Sequence, residues 1–576
     1  MKGLVAKRLA RSLSSQIQGA SYIPREASIY DLIQSACEKN DSKLIASFEM
    51  HKKAFTFGEM HLEAGKIAAG LVNLGIAPGD RVAVWGPNQP EWLVMKWACA
   101  RAGFEMVNIN PLYTSRELEY ALEKVDAKML VCPKTIGPLN YHAKVQELIP
   151  NLAEQDRFSL KVPSVPTLKK IVYYSCPEAE AGTFQWSELE QAGSDKDLKT
   201  VNEIIVDPHS IANIQFTSGT TGMPKAASLS HFNLINNAIS LTASLNALLP
   251  SVHENSSFLN CLPLYHVFSF VGGSLIGAHN AVPNIYPAPG FNSAAAIKAC
   301  ADKKCTYLIG TPTMFTDIVN DPIRLDHDIS SLDFAIVGGA PATPALVRKA
   351  NTELGLQMAV GYGMTENSCA TFLTYPGSSE DVTCNSVGFP IPGVEAKVID
   401  ENEKTLERGQ IGELVTKGFV LFMGYVKDEE KTKESYTKDG YWKTGDLAVV
   451  REDGTLQISG RSKDMLIRGG ENIQPTEIEN FITTHEKVLD CYVIGVPSSR
   501  LGEEVAAYIQ LKDDSVTKED IIAFCKDGLA RYKLPKYIKF TEEFPKTVTG
   551  KIQKYLLRDQ AMEDFPELKK ELAAMQ

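Results

Sequence analysis

The sequence lacks an excess of basic residues and lacks closely spaced cysteine pairs. It contains 59 lysines and arginines against 70 acidic residues, which gives a formal net charge of -11. Because no basic excess exists to neutralise duplex phosphates, we expect no nucleic-acid partner, and any anionic ligand must be met by a local site. The 11 cysteines are scattered from Cys37 to Cys525 without a CxxC pair, which favours reduced thiols and argues against a zinc site.

A long uninterrupted apolar run is also absent. The most apolar long stretch, residues 258–279, is broken by Asn260, Pro263, His266 and three glycines. Spanning a bilayer takes about 20 consecutive, mostly apolar residues. We therefore expect a buried strand, a loop and a helix in this region, and no membrane-spanning segment.

The first 25 residues differ from the rest of the chain. They carry Lys2, Lys7, Arg8 and Arg11, and no acidic residue precedes Glu26. On a helix, the basic residues would lie opposite an apolar side formed by Val5, Leu9, Leu13 and Ile17. An amphipathic, acid-poor leader is typical of a mitochondrial transit segment, so we predict one over residues 1–25 and a location in the matrix. The alternative is an ordinary basic helix or disordered tail on a cytoplasmic protein.

The order of predicted elements indicates an α/β protein with more than one domain. The chain is too long for one core, and from residue 57 helices alternate with apolar strands: helix 58–74, strand 80–86, helix 91–103, strand 105–111, helix 115–125 and strand 127–133. We expect Ser115 to be the N-cap of helix 115–125. This βαβ alternation predicts parallel sheets with helices on their faces.

The pattern changes in the last third of the chain. After about residue 385 come short strands and turns, including a hairpin signal at residues 451–454, and they predict a small β-barrel-like part. Residues beyond 460 read as a small α+β module. We therefore predict an N-terminal domain over residues 26–460 and a small C-terminal domain over residues 461–576.

One loop has the composition of a phosphate-binding site. It reads Thr217, Ser218, Gly219, Thr220, Thr221, Gly222, Met223, Pro224 and Lys225. Backbone N–H groups and hydroxyls of such a loop can surround phosphate oxygens, and a lysine adds a full charge. It is not a Walker A loop, which needs Gly-Lys followed by Ser or Thr. We expect it between the apolar strand "IANIQF" and a helix; a flexible surface loop is the alternative.

The sequence "TSGTTGMPKA" resembles the phosphate loop of the adenylate-forming superfamily, which includes acyl-CoA synthetases, luciferases and peptide-synthetase adenylation domains. Further stretches resemble the superfamily's motifs in its own order: "VGGAPA" (337–342), "GYGMTE" (361–366), "YWKTGD" (441–446), "GRSKD" (460–464) and "PKTVTGKIQK" (545–554). The resemblance covers about residues 50 to 560. One departure is Ala226, where most members have glycine and where a methyl group would crowd the loop.

A narrower resemblance is to the medium-chain acyl-CoA synthetase branch, most of all its mitochondrial family-member-2 type. It is carried by "PLYHVF" (263–268), "GTPTMF" (310–315) and "GRSKDMLIRGGENI" (460–473). The activity that this implies is ATP-dependent activation of a fatty acid to an acyl-AMP, followed by thioester formation with CoA and release of AMP and pyrophosphate. Mg²⁺, ATP and CoA are the implied cofactor and substrates.

The superfamily resemblance also implies the residues that would carry adenylation. Lys551 would bridge the carboxylate and the α-phosphate, Glu366 would ligate Mg²⁺, and Thr365 would lie near the α-phosphate. Beside the 217–225 loop, the ATP site would include Gly338, Ala340, Pro341, Tyr362, Asp446 and Arg461. Asp446 would accept the ribose hydroxyls.

Two further sites follow from the same resemblance. The acyl pocket would be lined by His266, Val267, Phe270, Gly338 and Gly363. Acetate-specific relatives carry tryptophan at the position of Gly363, so we expect glycine there to leave room for a longer chain. For the second half-reaction the small domain would turn about Lys463 and open a CoA channel at Gly469, Gly470 and Glu471.

Two alternatives stay open. An aryl-acid CoA ligase would carry the same motifs, because they do not separate aromatic from aliphatic acids. An inactive acyl- or nucleotide-binding protein would be expected to have lost Lys551, Glu366 or Asp446, and all three are present.

Overall fold

The computed structural model describes residues 14–575 apart from 177, 218–223, 247–255, 376, 462–463, 469–470, 514, 530 and 548–551. The strands, in chain order, are β1 Ile17–Gln18, β2 Leu44–Phe48, β3 Lys53–Thr56, β4 Arg81–Trp85, β5 Glu105–Ile109, β6 Met129–Pro133, β7 Thr135–Ile136, β8 Leu139–Asn140, β9 Lys170–Tyr174, β10 Phe184–Gln185, β11 Ile211–Thr217, β12 Lys225–Ser230, β13 Phe258–Asn260, β14 Asn284–Tyr286, β15 Tyr307–Gly310, β16 Phe334–Val337, β17 Gln357–Tyr362, β18 Phe372–Leu373, β19 Phe389–Pro390, β20 Glu395–Ile399, β21 Gly412–Lys417, β22 Gly424–Tyr425, β23 Trp442–Val450, β24 Leu456–Arg461, β25 Leu466–Arg468, β26 Glu471–Ile473, β27 Val488–Ser498, β28 Gly502–Leu511 and β29 Tyr537–Phe540.

The α-helices, in chain order, are α1 Ile29–Asn40, α2 Phe57–Asn73, α3 Pro90–Ala102, α4 Ser115–Lys124, α5 Tyr141–Leu148, α6 Trp186–Ala192, α7 Asp195–Glu203, α8 His231–Asn246, α9 Val267–Ser269, α10 Ile276–Asn280, α11 Ser293–Lys303, α12 Pro312–Asn320, α13 Pro344–Leu354, α14 Glu380–Asn385, α15 Glu429–Glu434, α16 Pro475–Ile482, α17 Lys518–Gly528, α18 Lys554–Asp564 and α19 Leu568–Met575. A π-helical segment, Phe270–Leu275, joins α9 to α10. Short 3-10 segments occur at Leu152–Glu154, Pro322–Asp326, Thr365–Asn367 and Arg531–Lys533.

The first large sheet has the strand order β10-β9-β6-β4-β5-β11-β12-β22. It is parallel from β10 to β11, and β12 and β22 add to it antiparallel. Along β4, Val82 and Val84 pack into one core while Ala83 and Trp85 pack into another. Burial on both faces with a period of two is what a helix-covered parallel sheet requires. The predicted α/β architecture is therefore confirmed.

The second large sheet has the order β19-β18-β17-β16-β15-β13-β14-β2-β3 and is parallel from β17 to β2. Its core is continuous with one face of the first sheet and includes helices α1, α2, α3 and α8. Helix α3 is buried along nearly its whole length, as expected for a helix lying between two sheets. It ends at Gly103, whose φ of 67° is left-handed and suits glycine.

The barrel-like sheet is antiparallel throughout, in the order β1-β20-β21-β23-β24. Its first strand corrects the helix predicted for the N-terminal segment. Ile17 pairs with Ala396, and Ser15 donates a 3.1 Å hydrogen bond from Oγ to the Val398 carbonyl. Backbone pairing with β20 outweighs the local helical periodicity, so residues 14–25 belong to the large domain's structure. The remainder of the predicted transit segment, residues 1–13, lies outside the described residues.

The C-terminal sheet has the order β26-β25-β28-β27, with β29 beside β28. Neighbouring residues of the long β27 and β28 strands again face opposite cores: Val493 packs on the face covered by α16 and α17, and Ile494 on the face covered by α18 and α19. Sheet membership changes between β24 and β25, close to the boundary predicted at residues 460–461, which stays a prediction.

Two local predictions meet the structure differently. Helix α4 begins at Ser115, but its N-cap is Thr114, which forms a capping box with Glu117; the predicted N-cap was wrong by one residue. The strand, loop and helix expected over residues 258–279 are confirmed as β13 and the α9–α10 helical run. Across the part of the chain that the structure describes, no helix is long and apolar enough to cross a bilayer.

Candidate active site

The phosphate-type loop connects the ends of two paired strands. Thr217 at the end of β11 lies opposite Lys225 at the start of β12, and residues 218–223 between them lie outside the described residues. The sequence predicted a helix directly after the loop, but β12 follows first and helix α8 begins at His231. This correction also concerns Ala226, which is fully buried in the sheet core. Its methyl group packs there, where glycine would leave space.

Glu366 lies next to this hairpin, in the 3-10 turn that follows β17. Its side chain is buried, and its Oε1 accepts hydrogen bonds from Tyr425 Oη at 2.8 Å and from Thr217 Oγ1 at 3.3 Å. Burial, reinforced by the Glu366 charge, raises the pKa of Tyr425 far above its usual range, so the hydroxyl stays protonated and donates. No sequence motif predicted Tyr425, because a tyrosine at the end of a short edge strand carries no local signal.

Asp446 forms a second polar centre with Arg461 and Tyr362. The two charged residues face each other across β23 and β24, with Arg461 Nε 3.1 Å from Asp446 Oδ1. Tyr362 donates its hydroxyl to Asp446 Oδ2 at 2.6 Å, and burial, followed by the Asp446 charge, raises the pKa of Tyr362 well above its usual range. The structure thus brings three of the predicted ATP-site residues together.

One short segment links the two centres, since Tyr362 ends β17 and Glu366 follows four residues later. After Glu366 the chain continues through Ser368 and Cys369, which adopt positive φ angles of 61° and 138°. Such values are uncommon for residues other than glycine. Ser368 Oγ donates to the Val420 carbonyl at 2.7 Å. These contacts fix Thr365 and Glu366, both 9% exposed.

Gly363 lies in a tightly packed loop, and the pocket role predicted for it stays a prediction. A Cβ atom built there would lie 1.9 Å from the Cys369 carbonyl oxygen and 2.6 Å from Ala370 Cα. A side chain at Gly363 would therefore point into the backbone of its own loop. Glycine is needed at this position for close backbone approach, and a tryptophan could enter only if that backbone moved.

The other predicted pocket residues separate into two groups. Gly338 lies against Phe268, with an added Cβ 3.5 Å from the ring edge, and the same ring lies close to Gly272. Val267 is held by its N–H, which donates to Gln215 Oε1 at 3.0 Å. Phe270, in contrast, packs under Lys96 Nζ, 3.7 Å from its ring centre. Phe268 is thus the side chain that meets Gly338.

The remaining predicted residues are placed as follows. His266 caps α9, its Nδ1 accepting from the Phe268 N–H at 3.3 Å. Ala340 and Pro341 lie in the partly exposed turn after β16, preceded by Gly339 at φ 82°. Pro224, just before β12, accepts a 3.0 Å hydrogen bond from Tyr120 Oη on its carbonyl.

Several predicted residues of the small domain lie outside the described residues, namely Lys463, Gly469, Gly470 and Lys551. Their flanks are described. Arg468 on β25 pairs through its backbone with Glu471 on β26. Lys546 and Ile552, which flank the segment that carries Lys551, form an isolated antiparallel β-bridge. Burial raises the pKa of Asp317 on α12, and Lys546 partly opposes this. Lys546, at the base of the Lys551 segment, is therefore within electrostatic range of Asp317.

The donor set around Glu366 suits a magnesium ion shared with phosphates. Among the described residues, both hydrogen bonds reach Oε1 and none reaches Oε2. Mg²⁺ is commonly held by one or two carboxylates together with substrate phosphates. A buried carboxylate beside a phosphate-type loop therefore fits this ion.

This site and fold are those of an adenylate-forming enzyme, and comparison with known families agrees. Residues 33–426 match the AMP-binding enzyme family and residues 477–551 match the AMP-binding enzyme C-terminal domain. The first match alone covers more than half of the chain. The chain belongs to the AMP-binding enzyme family, and the predicted resemblance is confirmed.

Relatives of the chain include acyl-CoA ligases. The chain is 38% identical over 555 residues to the mitochondrial medium-chain acyl-CoA ligase ACSF2 of Danio rerio, covering 95% of this chain and 90% of the relative. It is 37% identical over 570 residues to ACSF2 of Homo sapiens, covering 97% and 92%. These relatives agree with the predicted enzyme class, an AMP-forming acyl-CoA synthetase.

Solved structures show the same architecture. ATP-bound MatB from Rhodopseudomonas palustris superposes with a TM-score of 0.78 at 28% identity, covering 94% of this chain and all of that one. The anthranilate CoA ligase AuaEII superposes with a TM-score of 0.82 at 24% identity, covering 94% and 98%; this likeness concerns the fold alone.

Proposed function

We propose that the protein activates a medium-chain fatty acid with ATP and transfers the acyl group to CoA. The observation that carries the proposal is the single segment from Tyr362 to Glu366. One end of it holds Asp446, where a ribose would bind, and the other end places a buried carboxylate at the base of the phosphate-type hairpin. This spacing suits a nucleotide lying along the segment.

In the first half-reaction, an oxygen of the fatty acid attacks the α-phosphorus of ATP. The bond from that phosphorus to the bridging oxygen breaks, pyrophosphate leaves, and a mixed anhydride of acid and AMP forms. Catalysis of phosphoryl transfer of this kind consists mainly of positioning and charge stabilisation. Asp446 and Arg461 would hold the ribose end, and Lys225 with the hairpin would face the departing phosphates.

Mg²⁺, when bound at Glu366, would neutralise phosphate charge and so favour attack by an anionic carboxylate. The chain's own contribution is to fix that carboxylate. Thr217 and Tyr425 hold Oε1, and the Glu366 carbonyl accepts the Phe422 N–H at 2.9 Å, so the side chain is anchored from both ends. Lys551 would add a positive charge between the acid and the α-phosphate.

In the second half-reaction, the CoA thiol attacks the acyl carbon and AMP leaves with the electron pair of the broken acyl–oxygen bond. We propose that the small domain turns about Lys463 to bring the β25–β26 hairpin to the site. The change of sheet membership between β24 and β25 supports a pivot there. Hinge rotation of one domain around a fixed site is a recognised type of motion.

The acyl group would lie along Phe268, Gly338 and the glycine-containing α9–α10 run. The names of the ACSF2 relatives support a medium-chain acid. The same names carry the word mitochondrial, which supports the matrix location proposed from the basic leader.

Exchange of labelled pyrophosphate into ATP tests the proposal without CoA. We expect exchange that depends on an added fatty acid, is strongest for medium chains and requires Mg²⁺. Thioester and AMP should appear once CoA is added. Exchange that is strongest with benzoate-type acids would replace the proposal with an aryl-acid ligase, and the absence of acid-dependent exchange would refute it.

A further inference from the structure

Tyr425 occupies a position between the phosphate-type hairpin and the buried carboxylate. Its hydroxyl lies 2.8 Å from Glu366 Oε1, and its ring lies 4.8 Å from Lys225 Nζ, measured to the ring centre. One side chain therefore contacts both the candidate metal ligand and the lysine that closes the hairpin. No sequence motif pointed to it.

The tyrosine ring is held rigidly. Its centre is 4.9 Å from that of Phe422 and 6.2 Å from that of Trp442, with interplanar angles of 68° and 65°. Its main-chain N–H donates to Thr432 Oγ1 at 2.9 Å. A buried side chain packed on its edges and anchored through its backbone has little freedom to turn its hydroxyl elsewhere.

The hydrogen bond has a directional consequence for Glu366. Tyr425 and Thr217 both donate to Oε1, and no described residue donates to Oε2. A carboxylate with one oxygen held presents its other oxygen in a fixed direction. Partners that orient a metal ligand in this way commonly change metal affinity or activity by about 10- to 100-fold when removed.

We infer that Tyr425 is a positioning residue, which holds Oε1 of Glu366 so that the other carboxylate oxygen meets the metal ion of the bound nucleotide. The inference rests on the proposed function, because it takes Glu366 as the ligand of Mg²⁺. It predicts that the tyrosine hydroxyl matters for the metal-dependent part of ATP binding and not for ATP binding as a whole.

The test is calorimetric titration of ATP into the purified enzyme without fatty acid, once with Mg²⁺ and once with EDTA. The quantity of interest is the factor by which Mg²⁺ strengthens ATP binding. In Tyr425→Phe, which keeps the ring and its packing, this factor should fall by about 10-fold or more. Thioester formation from supplied acyl-AMP and CoA should stay near the wild-type rate.

Tyr436→Phe is the matched control. Tyr436 belongs to the same aromatic cluster, with its ring centre 5.4 Å from that of Trp442, and its hydroxyl is not bonded to Glu366. This variant should keep the wild-type Mg²⁺ factor. Should Tyr425→Phe fail to fold, Thr217→Val removes the weaker donor to the same oxygen and should lower the factor in the same direction.

An unchanged Mg²⁺ factor in Tyr425→Phe would overturn the inference. So would an equal loss of ATP affinity with and without Mg²⁺, since that result would describe a general packing defect. Wild-type protein that binds no ATP under either condition would overturn the proposed function itself, and the inference with it.

Discussion

Replacing Asp446 with asparagine should reduce ATP binding through the ribose and leave the rest of the nucleotide site intact. The Asp446 side chain is 7% exposed, so water does little to replace its charge. Its two oxygens already accept from Arg461 and Tyr362, and the proposed ribose hydroxyls would complete its hydrogen bonds. Asparagine keeps the shape, loses the charge and turns one acceptor into a donor.

The size of the effect follows from the number and kind of bonds lost. A hydrogen bond to a charged group contributes about 1.5–3 kcal/mol, which corresponds to roughly 10- to 150-fold in affinity. Arg461 would lose its partner, but its side chain is 35% exposed and water would hydrate it. We therefore expect a loss of fold stability of no more than about 1 kcal/mol.

Comparing ATP with 2′,3′-dideoxy-ATP isolates the ribose contribution. The wild-type enzyme should prefer ATP by at least the factor given above for one bond, since the dideoxy nucleotide lacks both hydroxyls, and Asp446→Asn should bind the two nucleotides almost equally, as measured by calorimetry. Tyr362→Phe is the control, because it removes a neighbouring hydroxyl and keeps the carboxylate, so the preference should survive. An Asp446→Asn variant that still prefers ATP as strongly as the wild type would refute the ribose assignment.

Three further changes test other parts of the account. Lys551→Ala should slow acid-dependent pyrophosphate exchange by roughly a hundred- to a thousandfold, as removal of other preorganised donors does. Thioester formation from supplied acyl-AMP should stay nearly unchanged. Equal loss of both steps would argue against a small domain that turns between the two half-reactions. Gly363→Ala should lower both the thermal unfolding midpoint and the pyrophosphate exchange rate, since overpacking costs about 1–3 kcal/mol or more. Gly361→Ala should be tolerated, because an added Cβ there lies no closer than 3.6 Å to its neighbours. Deleting residues 1–13 should preserve activity and abolish mitochondrial import of the expressed protein, and mitochondrial recovery of the shortened protein would contradict the leader assignment.

Much of the fold was predictable because its signals are local. Alternation of apolar strands with helices predicted the parallel sheets. Strand β12 was missed, since "KAASLS" has small residues on both faces and no amphipathic period. Strand β1 was missed because its partner β20 lies far along the chain, so the pairing leaves no local trace.

The candidate site shows the same division. Asp446, Arg461, Tyr362 and Glu366 were predicted from motifs, and the structure brings them into two linked centres. The pocket role of Gly363 rests on the resemblance and stays a prediction, whereas its close approach to the Cys369 backbone could not be predicted, because a sequence position does not give the direction of a side chain. Tyr425 could not be predicted, since its function depends on a contact between β22 and a turn formed about 60 residues earlier.

Transfer of a labelled carboxylate oxygen tests the central claim most directly. A medium-chain fatty acid carrying ¹⁸O in its carboxyl group would be incubated with the enzyme, ATP, Mg²⁺ and CoA. The ¹⁸O content of each product would then be measured by mass spectrometry. Attack by the acid on the α-phosphorus predicts that label from the carboxyl group appears in AMP and not in pyrophosphate. Label retained entirely in the thioester, or found in pyrophosphate or phosphate, would contradict an acyl-adenylate route.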